Sequence, residues 1–136
     1  MCINYDVSLS VVKWIHLNWG DAGVRMLLLK VYNELTDKGI FILEIQPLSS
    51  YRKVKNLTER IKTNWETNQL KPQEIPLVAE QLGLKLIHTI QPPEKKGKRG
   101  TVGFVRPIHV FQKGPVPRVT GVAAAAVSSA SALPAP

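Results

Sequence analysis

One cysteine, Cys2, is all the chain has, so no internal disulfide can form and an intracellular protein, nuclear or cytoplasmic, is expected. No apolar run approaches the ~20 residues a membrane span needs, which excludes a helical membrane anchor within this sequence. The first residues lack the charged-then-apolar layout of a secretory signal. Cys2 and the three histidines, His16, His88 and His109, are scattered without zinc-ligand spacing, so no metal is expected. There is no repeat of solenoid length. There is also no G-x-G-x-x-G turn of the kind that brings a backbone close to a nucleotide cofactor. Acidic residues are scarce: 10 Asp and Glu stand against 18 Lys and Arg, a net charge of +8.

That charge is unevenly spread. Residues 1–50 hold four Lys/Arg against five Asp/Glu, and residues 51–118 hold fourteen against five. A concentrated positive excess is what a polyanion-binding surface requires, although general solubility also explains a basic protein. With 136 residues and 44% hydrophobic content, the chain has room for one domain with a core.

Residues 3–12 read as a buried strand. Residues 13–20 read as a segment leaving the sheet edge to wall a pocket. Asp21 is expected to cap a helix running to about Leu35, with Val24, Leu27, Leu28, Val31 and Leu35 on one face. Gly39 suits the turn after that helix. The apolar run Ile40–Ile45 reads as a strand covered on both faces, completing a parallel βαβ unit. Asn56 and Glu59 resemble a capping box before a helix over about 57–69. A helix over 72–82 follows, limited by Pro76. Strands over 84–90 and 106–112 flank a basic loop holding Lys95, Lys96, Lys98 and Arg99. From 114 to 136 the composition turns to Pro, Ala, Ser and Val, and a disordered, dispensable tail is expected.

The run K-W-I-H-L-N-W-G-D at 13–21 is compositionally odd. Two tryptophans, a histidine, a lysine and an asparagine mix shape-setting apolar groups with a few orienting polar ones. S-V-V-K-W-I-H-L-N-W-G-D-A-G at 10–23 and G-I-F-I-L-E-I-Q-P-L-S-S-Y at 39–51 resemble the RNA 5′-phosphate methyltransferases of the bicoid-interacting family, to which small nuclear RNA methylphosphate capping enzymes belong. The resemblance covers roughly residues 5–113. Two positions depart from it: Ile45 stands where the family has proline, and Leu48 where it has tryptophan.

The resemblance implies S-adenosylmethionine as methyl donor and RNA with a 5′ phosphate as partner. It implies an α/β architecture: the second half of a class I, Rossmann-like methyltransferase fold spanning 1–113. The order β-α-β, helices, then two strands fits that half. The first strands and the Gly-rich cofactor loop are missing, so a truncated copy, fragment or shortened isoform is expected, binding the cofactor weakly when alone.

Methyl transfer to a phosphate is an in-line displacement by an oxygen that is already anionic. It requires positioning and charge screening rather than a strong base. Lys13 supplies a point charge for phosphate. His16 can donate a hydrogen bond and Asn18 can orient one, so these three are the catalytic candidates, matching the family motif residue by residue. Trp14 and Ser10 are the cofactor-side candidates. Gln46, Tyr51, Arg52, Lys53 and Lys55 are the substrate-side candidates, with the cations neutralising RNA phosphates. Competing readings are a non-catalytic basic fragment that binds RNA or another chain, and a product unable to fold.

Overall fold

The computed structural model describes residues 3–92 and 106–115. Cys2, the cluster Lys95–Arg99 and the tail beyond residue 115 lie outside the described residues. Strand β1 (Ile3–Ser8) ends four residues earlier than expected, because Ser10 turns the chain at φ 59°. Helix α1 (Val12–Glu34) begins at once. The segment 13–20 is therefore helical, not an extended pocket wall. Its buried positions, Val12, His16, Leu17, Gly20, Val24 and Leu28, recur at helical rather than alternating spacing.

Helix α1 is kinked at Gly20, whose φ of 73° and ψ of −169° lie outside the helical region. In an unbroken helix the carbonyls of His16 and Leu17 would accept from residues 20 and 21. Here Asn68 and Asn64 donate to them, at 3.2 and 2.8 Å. Both asparagines come from helix α3 (Glu59–Thr67) and its C-cap. Donors from a neighbouring element thus serve the carbonyls of the turn before the kink.

Strand β2 (Leu35–Glu44) includes the turn region around Gly39, with Lys38 at φ 61°. Its ordered pairing with β1 runs parallel from Tyr5↔Ile40 to Ser8↔Leu43. Phe41 and Leu43 are fully buried while Ile40 and Ile42 are half-buried, so one face of the strand is sealed and the other only partly covered. Helix α2 (Leu48–Arg52) follows, a short element with no apolar periodicity to announce it. Thr58, not Asn56, caps α3, its hydroxyl accepting from the Ile61 N–H at 3.1 Å. A 3-10 turn over Pro72–Glu74 leads into helix α4 (Ile75–Gln81). Restarting the helix at Ile75 puts Pro76 in a first turn, where proline is tolerated.

Strands β3 (Leu84–Ile90) and β4 (Ile108–Lys113) form an antiparallel pair, and β4 inserts beside β2. The sheet order is β1-β2-β4-β3. The mixed α/β sheet, one parallel pair closed by an antiparallel pair, is consistent with a methyltransferase-like fold. Phe41 and Phe111 face each other in register, rings 6.1 Å apart, at the centre of a core with Val24, Leu28, Ile75 and Leu84. A smaller cluster of Leu17, Tyr51 and Ile61 ties α1, α2 and α3 together. The strand end reaches Gly114, whose carbonyl accepts from Tyr32 at 3.0 Å and whose N–H donates to Gly83 at 2.9 Å.

Candidate functional site

The carboxyl ends of β1 and β2 and the starts of α1 and α2 meet at one end of the sheet, where open α/β sheets gather ligands. Lys13, in the first turn of α1, donates to the Ser50 hydroxyl of α2 at 3.0 Å. Its ammonium also lies 4.7 Å from the centre of the Trp14 ring. Among the described residues it makes no ion pair. Burial lowers its pKa, and the nearby charges of Arg106 and Lys53 lower it further. Arg106 and Lys53 are thus near enough to act on the charge of Lys13.

Arg106 enters from the segment before β4. It donates to Glu44 at 2.8 Å and to Ser10 at 3.2 Å, and Ser10 itself donates to Glu44 at 3.1 Å. Glu44 offsets the charge of Arg106, and Lys13 is left without an ion pair among the described residues. An anion beside Lys13 would offset both its desolvation and the repulsion from Arg106 and Lys53.

His16 sits deeper, 1% exposed, with both ring nitrogens engaged. Nε2 is 2.7 Å from the Asp21 carboxylate and Nδ1 is 3.1 Å from the Tyr51 hydroxyl. An ionised carboxylate only accepts, so Nε2 carries the proton; in the neutral ring Nδ1 then accepts from the Tyr51 O–H. Burial raises the Tyr51 pKa, which keeps that proton in place. For Asp21, burial acts to raise the pKa. Hydrogen bonds from His16 and from the N–H groups of Gln69 and Leu70, at 2.8 and 3.0 Å, outweigh it and hold the carboxyl below its usual range. Asp21 does not cap its own helix. It bridges outward to the strand of chain after α3.

The remaining sequence candidates separate. The Asn18 amide donates to the Trp14 carbonyl of its own helix at 2.9 Å. Arg52 is exposed. Lys55 lies 6.0 Å from the Trp65 ring, toward α3. Gln46 is 7% exposed, and its Oε1 has no hydrogen-bond partner among the described residues; Ser8 Oγ is in the same position. Lys13 is thus brought to Ser50, and Ser10 and Glu44 to Arg106, while Lys53 is exposed and acts on Lys13 through its charge. Arg106 was missed by sequence reasoning, since 62 residues separate it from Glu44 and no local pattern marks it.

Ser10 and Trp14, the proposed cofactor-side pair, do not by themselves cradle a nucleoside. The Ser10 hydroxyl is tied between Glu44 and Arg106, and Lys13 lies over the Trp14 ring.

A family model described as Bicoid-interacting protein 3 (Bin3) matches residues 5–113. The chain is 40% identical over 117 residues to a Homo sapiens protein named 7SK snRNA methylphosphate capping enzyme, covering 83% of this chain and 16% of that protein. It is 35% identical over 113 residues to the U6 snRNA methylphosphate capping enzyme Amus of Drosophila melanogaster, covering 80% of this chain and 36% of the relative. A probable RNA methyltransferase of Arabidopsis thaliana is 35% identical over 112 residues, with 80% and 34% covered. The chain therefore spans 16% to 36% of the length of these curated relatives.

Proposed function

The chain belongs to the Bicoid-interacting protein 3 family, and on that premise we propose that it forms the acceptor side of an RNA methyltransferase acting on a 5′-terminal phosphate. S-adenosylmethionine is the methyl donor in this reading, and it supplies an electrophilic methyl group when bound. The names of the relatives point to small nuclear RNA, and hence to the nucleus. The sheet order β1-β2-β4-β3 supports assigning the chain to the second half of a class I fold.

The observation that carries the proposal is Lys13, without an ion pair among the described residues, held on the Ser50 hydroxyl within electrostatic reach of Arg106 and Lys53. Lys13 and Ser50 hold the phosphate, and Arg106, fixed by Glu44, supplies a second positive face. No base is needed, because the phosphate oxygen is anionic already. His16 cannot serve as one without breaking its bond to Tyr51. Its role is to hold α1 against α2, so that Lys13 and Ser50 stay at bonding distance.

The test compares binding of a short oligoribonucleotide carrying a 5′ phosphate with the same oligonucleotide carrying a 5′ hydroxyl. A clear preference for the phosphate, abolished by Lys13→Ala and reduced by Arg106→Gln, is expected. Equal binding of the two oligonucleotides would refute the proposal. A second reading, a basic RNA-binding piece without catalysis, is favoured by the lack of a cofactor cradle among the described residues. Phosphate-dependent binding with no methyl transfer from S-adenosylmethionine would select it.

A further inference from the structure

Helix α1 carries Lys13 in its first turn without the local signals that start a helix. Its N-cap residue, Val11, makes no side-chain cap, and no acidic residue stands in the first turn. A cation is also disfavoured there, because the positive end of the helix dipole lies at that turn. The residue before the N-cap, Ser10, has φ 59°, a left-handed conformation that side-chain-bearing residues rarely enter. The local sequence therefore does not fix where α1 begins.

The fixing contacts come from far along the chain. The parallel ladder of β1 and β2 ends at Ser8↔Leu43, so Glu44 stands one residue past it, beside the turn. Glu44 also pairs with Ile108 of β4, two residues after Arg106. Strand register thus brings both charged side chains to Ser10. The Ser10 hydroxyl donates to Glu44 at 3.1 Å and accepts from Arg106 at 3.2 Å, while Arg106 donates to Glu44 at 2.8 Å. Each of the three groups touches the other two. The side chains of the ion pair are only 12% and 16% exposed, so water and salt weaken it less than a surface pair.

We propose that Glu44 and Ser10 are positioning residues for Lys13: with Arg106 they lock the turn before α1, and so hold the Lys13 ammonium on the Ser50 hydroxyl. The consequence for RNA rests on the phosphate reading above; the geometry does not. Lys13 lies three residues after Ser10, and its 3.0 Å bond to Ser50 spans α1 to α2. A turn free to shift would carry the ammonium off that hydroxyl. The flexible lysine stem would then spread over many rotamers, and a phosphate would have to order it again on binding. Neither Glu44 nor Ser10 has to touch the substrate to act in this way.

The experiment uses the whole chain with lysine labelled at the ε carbon, and nuclear magnetic resonance reads the Lys13 signal, assigned by its loss in Lys13→Ala. In the wild type the Trp14 ring, centred 4.7 Å from the ammonium, should displace that signal from those of exposed lysines. Glu44→Gln keeps the shape of the side chain and removes its charge. Ser10→Gly takes the left-handed turn at no backbone cost and removes the hydroxyl, so it tests the same contact should Glu44→Gln fail to fold. Both variants are expected to move the Lys13 signal toward the exposed lysines. They should also lower the preference for a 5′-phosphorylated over a 5′-hydroxyl oligoribonucleotide about tenfold, the scale of one charge-assisted hydrogen bond. A Lys13 signal that stays in place in either folded variant overturns the positioning role. A moved signal with an undiminished phosphate preference overturns it as well, since Lys13 would then need no positioning. A wild type without any phosphate preference refutes the phosphate reading instead, and a moved signal then leaves the positioning role standing.

Discussion

At the scale of single residues, Gly20 and Asp21 decide how α1 meets the rest of the molecule. Gly20 occupies a backbone region, φ 73° and ψ −169°, that side-chain-bearing residues rarely enter. An added Cβ would also lie 3.3 Å from the Asn68 amide oxygen. Gly20→Ala should therefore destabilise the chain by about 1–3 kcal/mol, read from the midpoint of urea unfolding. An unchanged midpoint would show that the kink is not enforced. Asp21 accepts three hydrogen bonds, from His16, Gln69 and Leu70. An amide in its place must turn a donor toward another donor, and Asp21→Asn should cost about 2–3 kcal/mol. The sign of its pH effect follows from its lowered folded-state pKa. Its contribution is present above the ordinary carboxyl value of 3.8 and is lost as pH falls toward the lower folded value. Stability curves of wild type and Asp21→Asn should therefore converge as pH falls below that value. Lys13 gives the opposite limb. Its pKa is lowered from 10.5, first by burial and then by Arg106 and Lys53. Affinity for a 5′-phosphorylated RNA should be full while the amine is charged and fall as pH rises, beginning below the range of an exposed lysine. A pH-independent affinity up to pH 10 would remove Lys13 from the phosphate site.

Among elements, the joint between α1 and α3 rests on two asparagines that donate to carbonyls at the kink of α1. Asn64→Leu keeps the branched shape, in a somewhat larger side chain, and removes the donor to the part-buried Leu17 O. About 1–3 kcal/mol of destabilisation is expected, with a similar loss for Asn68→Leu at His16 O. Measured unfolding free energies within a few tenths of wild type would mean that water serves these carbonyls equally well. This joint also shows what was legible beforehand. The strands over 84–90 and 106–112, the helix after Asp21 and the parallel β1–β2 pair follow from apolar periodicity and Gly or Pro punctuation, which act locally. The helical nature of 13–20 did not, because Trp14, Ile15, Leu17 and Trp19 mimic alternation, and partners such as Asn64 and Asn68 lie in and beside α3. Helix α2 was invisible, since five residues are too few for a period to show. In the site, Lys13 and Gln46 could be picked out by chemistry and by motif. Arg106, Asp21 and the Thr58 cap depend on contacts made across long sequence separations or on one hydroxyl among several.

For the whole molecule, the four-stranded sheet of the described residues leaves two edges, β1 and β3. β3 exposes Ile87 and Ile90 but sets Lys85 and His88 beside them, charged and polar groups that discourage another strand from pairing. β1 carries Tyr5 at 71% exposure and Val7 at 47%, followed by Leu9 and Val11 at 46% and 47%. Tyr5 and Val7 are two residues apart and so share one face of the strand. An edge with free backbone groups and apolar side chains is a template for a second strand, and the net charge of +8 acts against it only at long range. The chain should therefore self-associate as concentration rises, and more so in salt, which screens the repulsion. Tyr5→Lys combined with Val7→Lys should suppress this, as measured by sedimentation velocity across a concentration series at two ionic strengths. Both side chains are outside the core, so the unfolding midpoint should move little, within about 0.5 kcal/mol. The matching change at β3, Ile87→Lys, should leave association as it was. If the β3 variant dissociates the complex and the β1 variant does not, the roles of the edges are reversed. If neither does, the contact lies off the sheet, and the exposed Trp19 on α1, with Arg60 5.3 Å from its ring, becomes the surface to alter next.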